Sequence, residues 1–99
     1  MSEETSPETQ SPPSVYDHLA MVIQQMAHVS WQKLGLQPDA VTGKLEQNLT
    51  EAKVAIDVVA QLVPLLEPQL DAEDRRQLHG MLRDLRINFV QRTSGGAST

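Results

Sequence analysis

The sequence predicts an all-α fold: a small three-helix domain with a central apolar helix and a disordered tail at each end. Three observations predict it. Apolar residues recur at three- and four-residue spacing in three separate segments. Cap and turn residues stand between those segments. Everything outside them is polar and rich in Pro, Gly, Ser and Thr.

The first element is a tail. Residues 1–14, MSEETSPETQSPPS, hold three Glu, three Pro and one apolar side chain, the initial Met. Such a stretch buries too little surface to offset the entropy of ordering it. Residues 1–13 are therefore expected to be disordered, residues 14–92 to form the helical domain, and residues 93–99, with Gly95-Gly96, to be a flexible tail.

The first helix is expected from Val15 to Leu34. Val15, Leu19, Val22, Met26 and Val29 form one apolar stripe, and Ala20, Ile23, Ala27 and Leu34 a second beside it. Together they cover roughly half the circumference. Ser14 is placed to cap it, with Asp17 three residues on. Gly35 has the position of a left-handed C′ residue, Leu36 is its apolar neighbour, and Pro38 stops the helix. The segment 36–47 that follows, LQPDAVTGKLEQ, carries two turn signals, Pro38-Asp39 and Thr42-Gly43. It is expected to be an irregular loop, with Val41 and Leu45 either in a very short hairpin or packed down.

The second helix is expected from Leu49 to Leu66, with Asn48 and Glu51 as a capping pair. Lys53, Asp57 and Gln61 make one thin polar stripe. Val54, Ala55, Ile56, Val58, Val59, Leu62, Val63, Leu65 and Leu66 occupy an arc of roughly 200°. Pro64 has no backbone donor and is expected to bend the last turn or end the regular helix near Val63. The third helix starts after Asp71, its N-cap, with Glu73 and Asp74 where the helix dipole favours acids. Leu78, Met81, Leu82, Leu85 and Phe89 form a narrow stripe, while Ile87 and Val90 lie off it.

Composition bounds the function. The chain has 99 residues, no cysteine and a net charge of −5. Disulfides, thiolate metal sites and a Cys nucleophile are excluded. The acidic, polar start is not expected to act as a secretory signal. Asp57 and Gln61 interrupt the one long apolar run before it reaches the ~18 residues of a membrane helix. The acidic balance argues against general affinity for nucleic acid.

No motif points to catalysis. His18, His28 and His79 match no metal-ligand spacing, and no Gly-rich phosphate loop is present. Only Asp57 is an acid embedded in an apolar helix, so no carboxylate pair can be argued. The chain is not expected to be an enzyme, and no cofactor or metal is expected. Asp57 needs a cation; Arg86, flanking the third helix's stripe, is expected to be its partner in a structural ion pair, with Lys53 as the local alternative. Five of the eight basic residues, Arg75, Arg76, Arg83, Arg86 and Arg92, fall in or just after the third helix. Arg75, Arg76 and Arg83 are candidate anion contacts, against the plainer reading of a solvated face paired locally.

The stretches LGLQPDAVTGK, NLTEAKVAIDVVAQL and DAEDRRQLHGMLRDLRINFV resemble a bacterial family known as domain-of-unknown-function family 1844. Shared landmarks are Leu34-Gly35, Pro38, Gly43, Ala52-Lys53, Ile56-Asp57, Glu73, Leu82, Asp84-Leu85-Arg86 and Val90. The resemblance spans about Tyr16 to Val90. Where that family has a Lys-rich Gly-Asn turn before the third helix, this chain reads Glu67-Pro68-Gln69. The resemblance implies a small cytoplasmic bacterial helical domain, and no catalytic motif is among its landmarks.

The apolar faces do not balance within one chain. The second helix has more to cover than two neighbours supply, and exposing the excess leaves a larger patch than soluble monomers usually carry. The expectation is a homodimer built on the first two helices, with Val54, Val58, Leu62 and Leu65 leading the interface. The role expected is that of a non-enzymatic, self-associating interaction module. The alternative is an anion- or nucleic-acid-binding accessory protein using the arginine side of the third helix.

Overall fold

A computed structural model describes the backbone of residues 12–98 and the side chains of residues 12–94. The expected disorder of residues 1–11 lies outside the described residues. The fold is all-α: α1 (Val15–Lys33), α2 (Leu49–Leu66), a 3-10 turn (Glu67–Gln69) and α3 (Ala72–Ser98), in that order.

Local chemistry sets each boundary. The Ser14 hydroxyl accepts from the Asp17 N–H at 3.2 Å, and the Ser14 N–H donates to the Asp17 carboxylate at 2.9 Å, a reciprocal capping box. At the other end of α1, Leu36 N–H donates to the Trp31 carbonyl and Gly35 N–H to the Gln32 carbonyl, both at 3.0 Å. This is a Schellman turn, and Gly35 takes the φ of 82° that it requires. A Cβ there would meet the Gln47 Cβ at 3.4 Å, so the returning chain also favours glycine. Asn48 caps α2 through Glu51 N–H at 3.1 Å, and Asp71 caps α3 through Asp74 N–H at 2.8 Å.

The loop is irregular, as its composition predicts. Among the described residues its only strand-like feature is an isolated antiparallel bridge between Leu34 and Gln47. Asp39 organises the turn, its carboxylate accepting from Val41 N–H at 2.7 Å and Thr42 N–H at 2.9 Å. Val41 and Leu45 neither pair as strands nor pack down; both side chains are exposed.

α2 runs through Pro64 to Leu66 and then tightens into the 3-10 turn, rather than ending near Val63. Pro64 is exposed, so solvent can reach the backbone it disturbs. α3 keeps helical backbone beyond Arg92, the expected end of the domain, to Ser98. The Thr93 hydroxyl donates to the Phe89 and Val90 carbonyls at 3.1 and 3.0 Å, fastening itself to the preceding turn.

The core is built from Ile23, Ala27, Leu34, Ala52, Ile56, Val59, Val63, Leu66, Leu82 and Leu85. α1 and α2 form an antiparallel hairpin that holds most of it. α3 contributes its narrow stripe, with Leu85 fully buried at its centre. On α1 the second of the two stripes, with Ile23, Ala27 and Leu34, is the buried one. Ser30 shares its phase and is buried too, its hydroxyl donating to the Met26 carbonyl at 2.8 Å. Of the first stripe, Leu19 and Met26 pack against the core, while Val15 and Val22 stay exposed.

Candidate interaction surfaces

α2 presents three flanks. Its buried row faces α1 and α3. At about 100° per residue, Val54, Val58, Leu62 and Leu65 lie roughly 120° round the helix from that row. Val54 and Leu65 are 60% and 59% exposed, and Val58 and Leu62 are half-buried. The remaining flank, with Ala60, Pro64 and Glu67, borders α3 across a groove. The row of four therefore lies on the side turned away from most of α3. Val54 stands at its edge, where it also borders the cleft that Phe89 and Thr93 make with α2.

The hairpin continues this face onto α1. Asn48 N–H donates to the Lys33 carbonyl at 2.7 Å, and the Lys33 ammonium meets the Glu51 carboxylate at 3.1 Å. Counting back from those bonds in antiparallel register brings Val29 alongside Val54, Val22 alongside Val58 and Leu62, and Val15 towards Leu65. The other flank of α1, Ala20 and Gln24, faces Leu78 and Met81 of α3. α3 thus covers one side of the hairpin and leaves an apolar strip on the other.

That strip is poor in charge. Between Asp17 and Lys33, α1 has no Asp, Glu, Lys or Arg. On the α2 side the one ionised group in phase with the row is Glu51, and Lys33 neutralises it. Lys33 is held in its charged form: the hydrogen bond and charge of Glu51 raise its pKa above the ordinary 10.5. An apolar centre depleted of charge is the composition of an interface core.

The Asp57–Arg86 pair does not form. Asp57 is 59% exposed and receives a hydrogen bond from Lys53 at 2.8 Å, the local i, i+4 partner. The crossing of α2 and α3 explains this. It sets Asp57 beside Phe89 and Thr93, whereas Arg86 lies beside Val63 and Pro64 in the groove. The polar stripe of α2 faces water and carries no buried carboxylate in need of a distant cation.

The arginines separate into two groups. Arg75 and Arg76 are exposed near the start of α3, and Arg76 is bound to Glu73 one turn away. Arg83 and Arg86 instead line the α2/α3 groove, together with Ile87 and Val90. The sequence placed Ile87 and Val90 off the core stripe but gave no sign that Pro64 and Ala60 form the opposite wall. His79 closes one end of the groove, its imidazole hydrogen-bonded to the Glu67 carboxylate. His18 and His28 are exposed on α1. Among the described residues no group of three or more His, Cys, Asp or Glu side chains converges to hold a metal ion, and no helix is long and apolar enough to cross a membrane.

A family model described as a domain of unknown function, DUF1844, matches residues 16–91. That range takes in nearly all of α1, the whole of α2 and most of α3. No curated protein and no solved structure matches the chain.

Proposed function

The chain belongs to the DUF1844 family, and from that premise we propose that it acts as a non-enzymatic interaction module that pairs with a second copy of itself. One observation carries this reading: the apolar, uncharged strip on the hairpin face away from α3, formed by Val54, Val58, Leu62 and Leu65 with Val15, Val22 and Val29 beside them. A second copy suits it better than a charged partner. The strip's one in-phase acid, Glu51, is paired with Lys33, so two such strips meet without opposing like charges. A twofold axis through the hairpin would shield both apolar rows at once. The absence of cysteine and the family resemblance support a bacterial, cytoplasmic setting for this module.

Substitution tests it. Val58→Asp should give monomer or unfolded chain, because Val58 is half-buried. Leu65→Asp removes that ambiguity, since its side chain is 59% exposed and it should give a folded monomer. A dimer that survives both substitutions contradicts the proposal. The alternative, nucleic-acid contact through Arg75, Arg76 and Arg83, finds less support. Arg76 is engaged by Glu73, and Arg83 lines a groove with an apolar floor.

A further inference from the structure

The groove between α2 and α3 plays no part in the dimer reading and does not depend on it. It is an open groove of about 680 Å³, within the range of small-molecule sites. Val63 and Leu82, both buried, form its floor, and Ile87 and Val90 extend the apolar surface at 46% and 57% exposure. From His79 to Val90 the α3 wall is roughly 16 Å long at 1.5 Å per residue.

Its polar groups are arranged unusually for an acidic protein. Arg83 and Arg86 stand one turn apart on the same wall. The nearest carboxylate to Arg83 is its neighbour Asp84, at 3.9 Å. Among the described residues Arg86 has no salt bridge, the ion pairs present joining other groups. Glu67, the acid of this groove, is taken by His79. On the facing wall Pro64 has no N–H to donate, so the Ala60 carbonyl lacks its helical donor, and Ala60 lines the same groove. Two arginines without strong acid partners thus line a groove with an apolar floor. Guanidiniums bind carboxylates through paired N–H donors, while the floor favours an alkyl chain.

We propose that this groove binds a single-chain amphiphilic anion of the alkyl carboxylate class. The chain lies along Val63, Leu82, Ile87 and Val90, and the carboxylate bonds to Arg83 and Arg86. A polyanion fits less well, because the site offers two guanidiniums and no aromatic platform.

Titration calorimetry of the full chain with laurate below its micellar concentration tests the proposal. The expected result is one laurate per chain with micromolar affinity. Arg83→Gln and Arg86→Gln should each weaken binding about tenfold or more, the loss expected for a charge-assisted hydrogen bond. Dodecanol, with the same chain and no charge, should bind as weakly as laurate binds those variants. Shortening the chain should weaken binding about two- to fourfold per methylene. Val90→Trp should fill the groove and abolish binding with an unchanged circular dichroism spectrum. The monomeric Leu65→Asp variant should bind laurate normally, so failure of the dimer leaves this test intact. No binding, uptake of several laurates per chain, or affinity indifferent to both arginine substitutions would overturn the proposal.

Discussion

Lys33, in the last turn of α1, meets Glu51, in the first turn of α2, at 3.1 Å. Each charge also sits at the helix end whose dipole favours it. The pair joins the same two helix ends as the bond from the Asn48 N–H to the Lys33 carbonyl. Because the pKa of Lys33 is raised, its contribution to stability is fully present below the ordinary value of 10.5 and is lost as pH rises through the folded value. Thermal melts of the wild type should fall across that alkaline window more steeply than melts of Lys33→Met. Parallel curves would show that the bond adds nothing.

Ser30 of α1 and Ala52 of α2 are both small and fully buried. Its hydroxyl is satisfied within its own helix. Ser30→Ala should therefore change stability by less than about 1 kcal/mol. Ser30→Leu should cost about 1–3 kcal/mol by forcing the helices apart. Urea unfolding of the two variants checks the contrast, and equal effects would show that Ser30 is not tightly packed.

Among the described residues, Leu85 is the one fully buried side chain that α3 supplies. Leu85→Ala should cost about 2–5 kcal/mol. Hydrogen exchange should show α3 losing protection first, with α1 and α2 retaining theirs. Uniform loss across all three helices would mean that α3 is not a separately docked element.

Asp39 holds the loop turn through the Thr42 and Val41 N–H groups, and these bonds lower its pKa below the ordinary 3.8. Stability from this turn is present above the ordinary value and is lost as pH falls through the lower, folded one. Amide resonances of Val41 and Thr42 should move together with a midpoint below the usual Asp range. A midpoint at or above 3.8 would contradict the hydrogen bonds as described.

Much of this architecture is legible in the residues. Ser14, Asn48 and Asp71 mark the helix starts because capping is a local interaction of three or four residues. Gly35 marks the end of α1 for the same reason. The apolar excess of α2 is legible as well, since it depends only on helical period. What the sequence does not show depends on how helices cross. The two stripes of α1 look equivalent until α3 takes one flank and leaves Val15 and Val22 exposed on the other. Ser30 has the phase of Ile23, Ala27 and Leu34, which was a readable sign that it would be buried. Chemical need alone pairs Asp57 with Arg86 in the sequence, and the crossing of α2 and α3 separates them. The groove is the furthest from sequence, because Ala60 and Pro64 meet Arg86 and Val90 only through tertiary packing.

The central claim is that the uncharged hairpin face pairs with its own copy. Sedimentation equilibrium of the wild-type chain at micromolar concentration tests it most directly. The account predicts a particle of twice the 11.0 kDa chain mass, returning to a single chain mass in Leu65→Asp. A wild-type protein that sediments as a stable 11.0 kDa monomer across that range would contradict it.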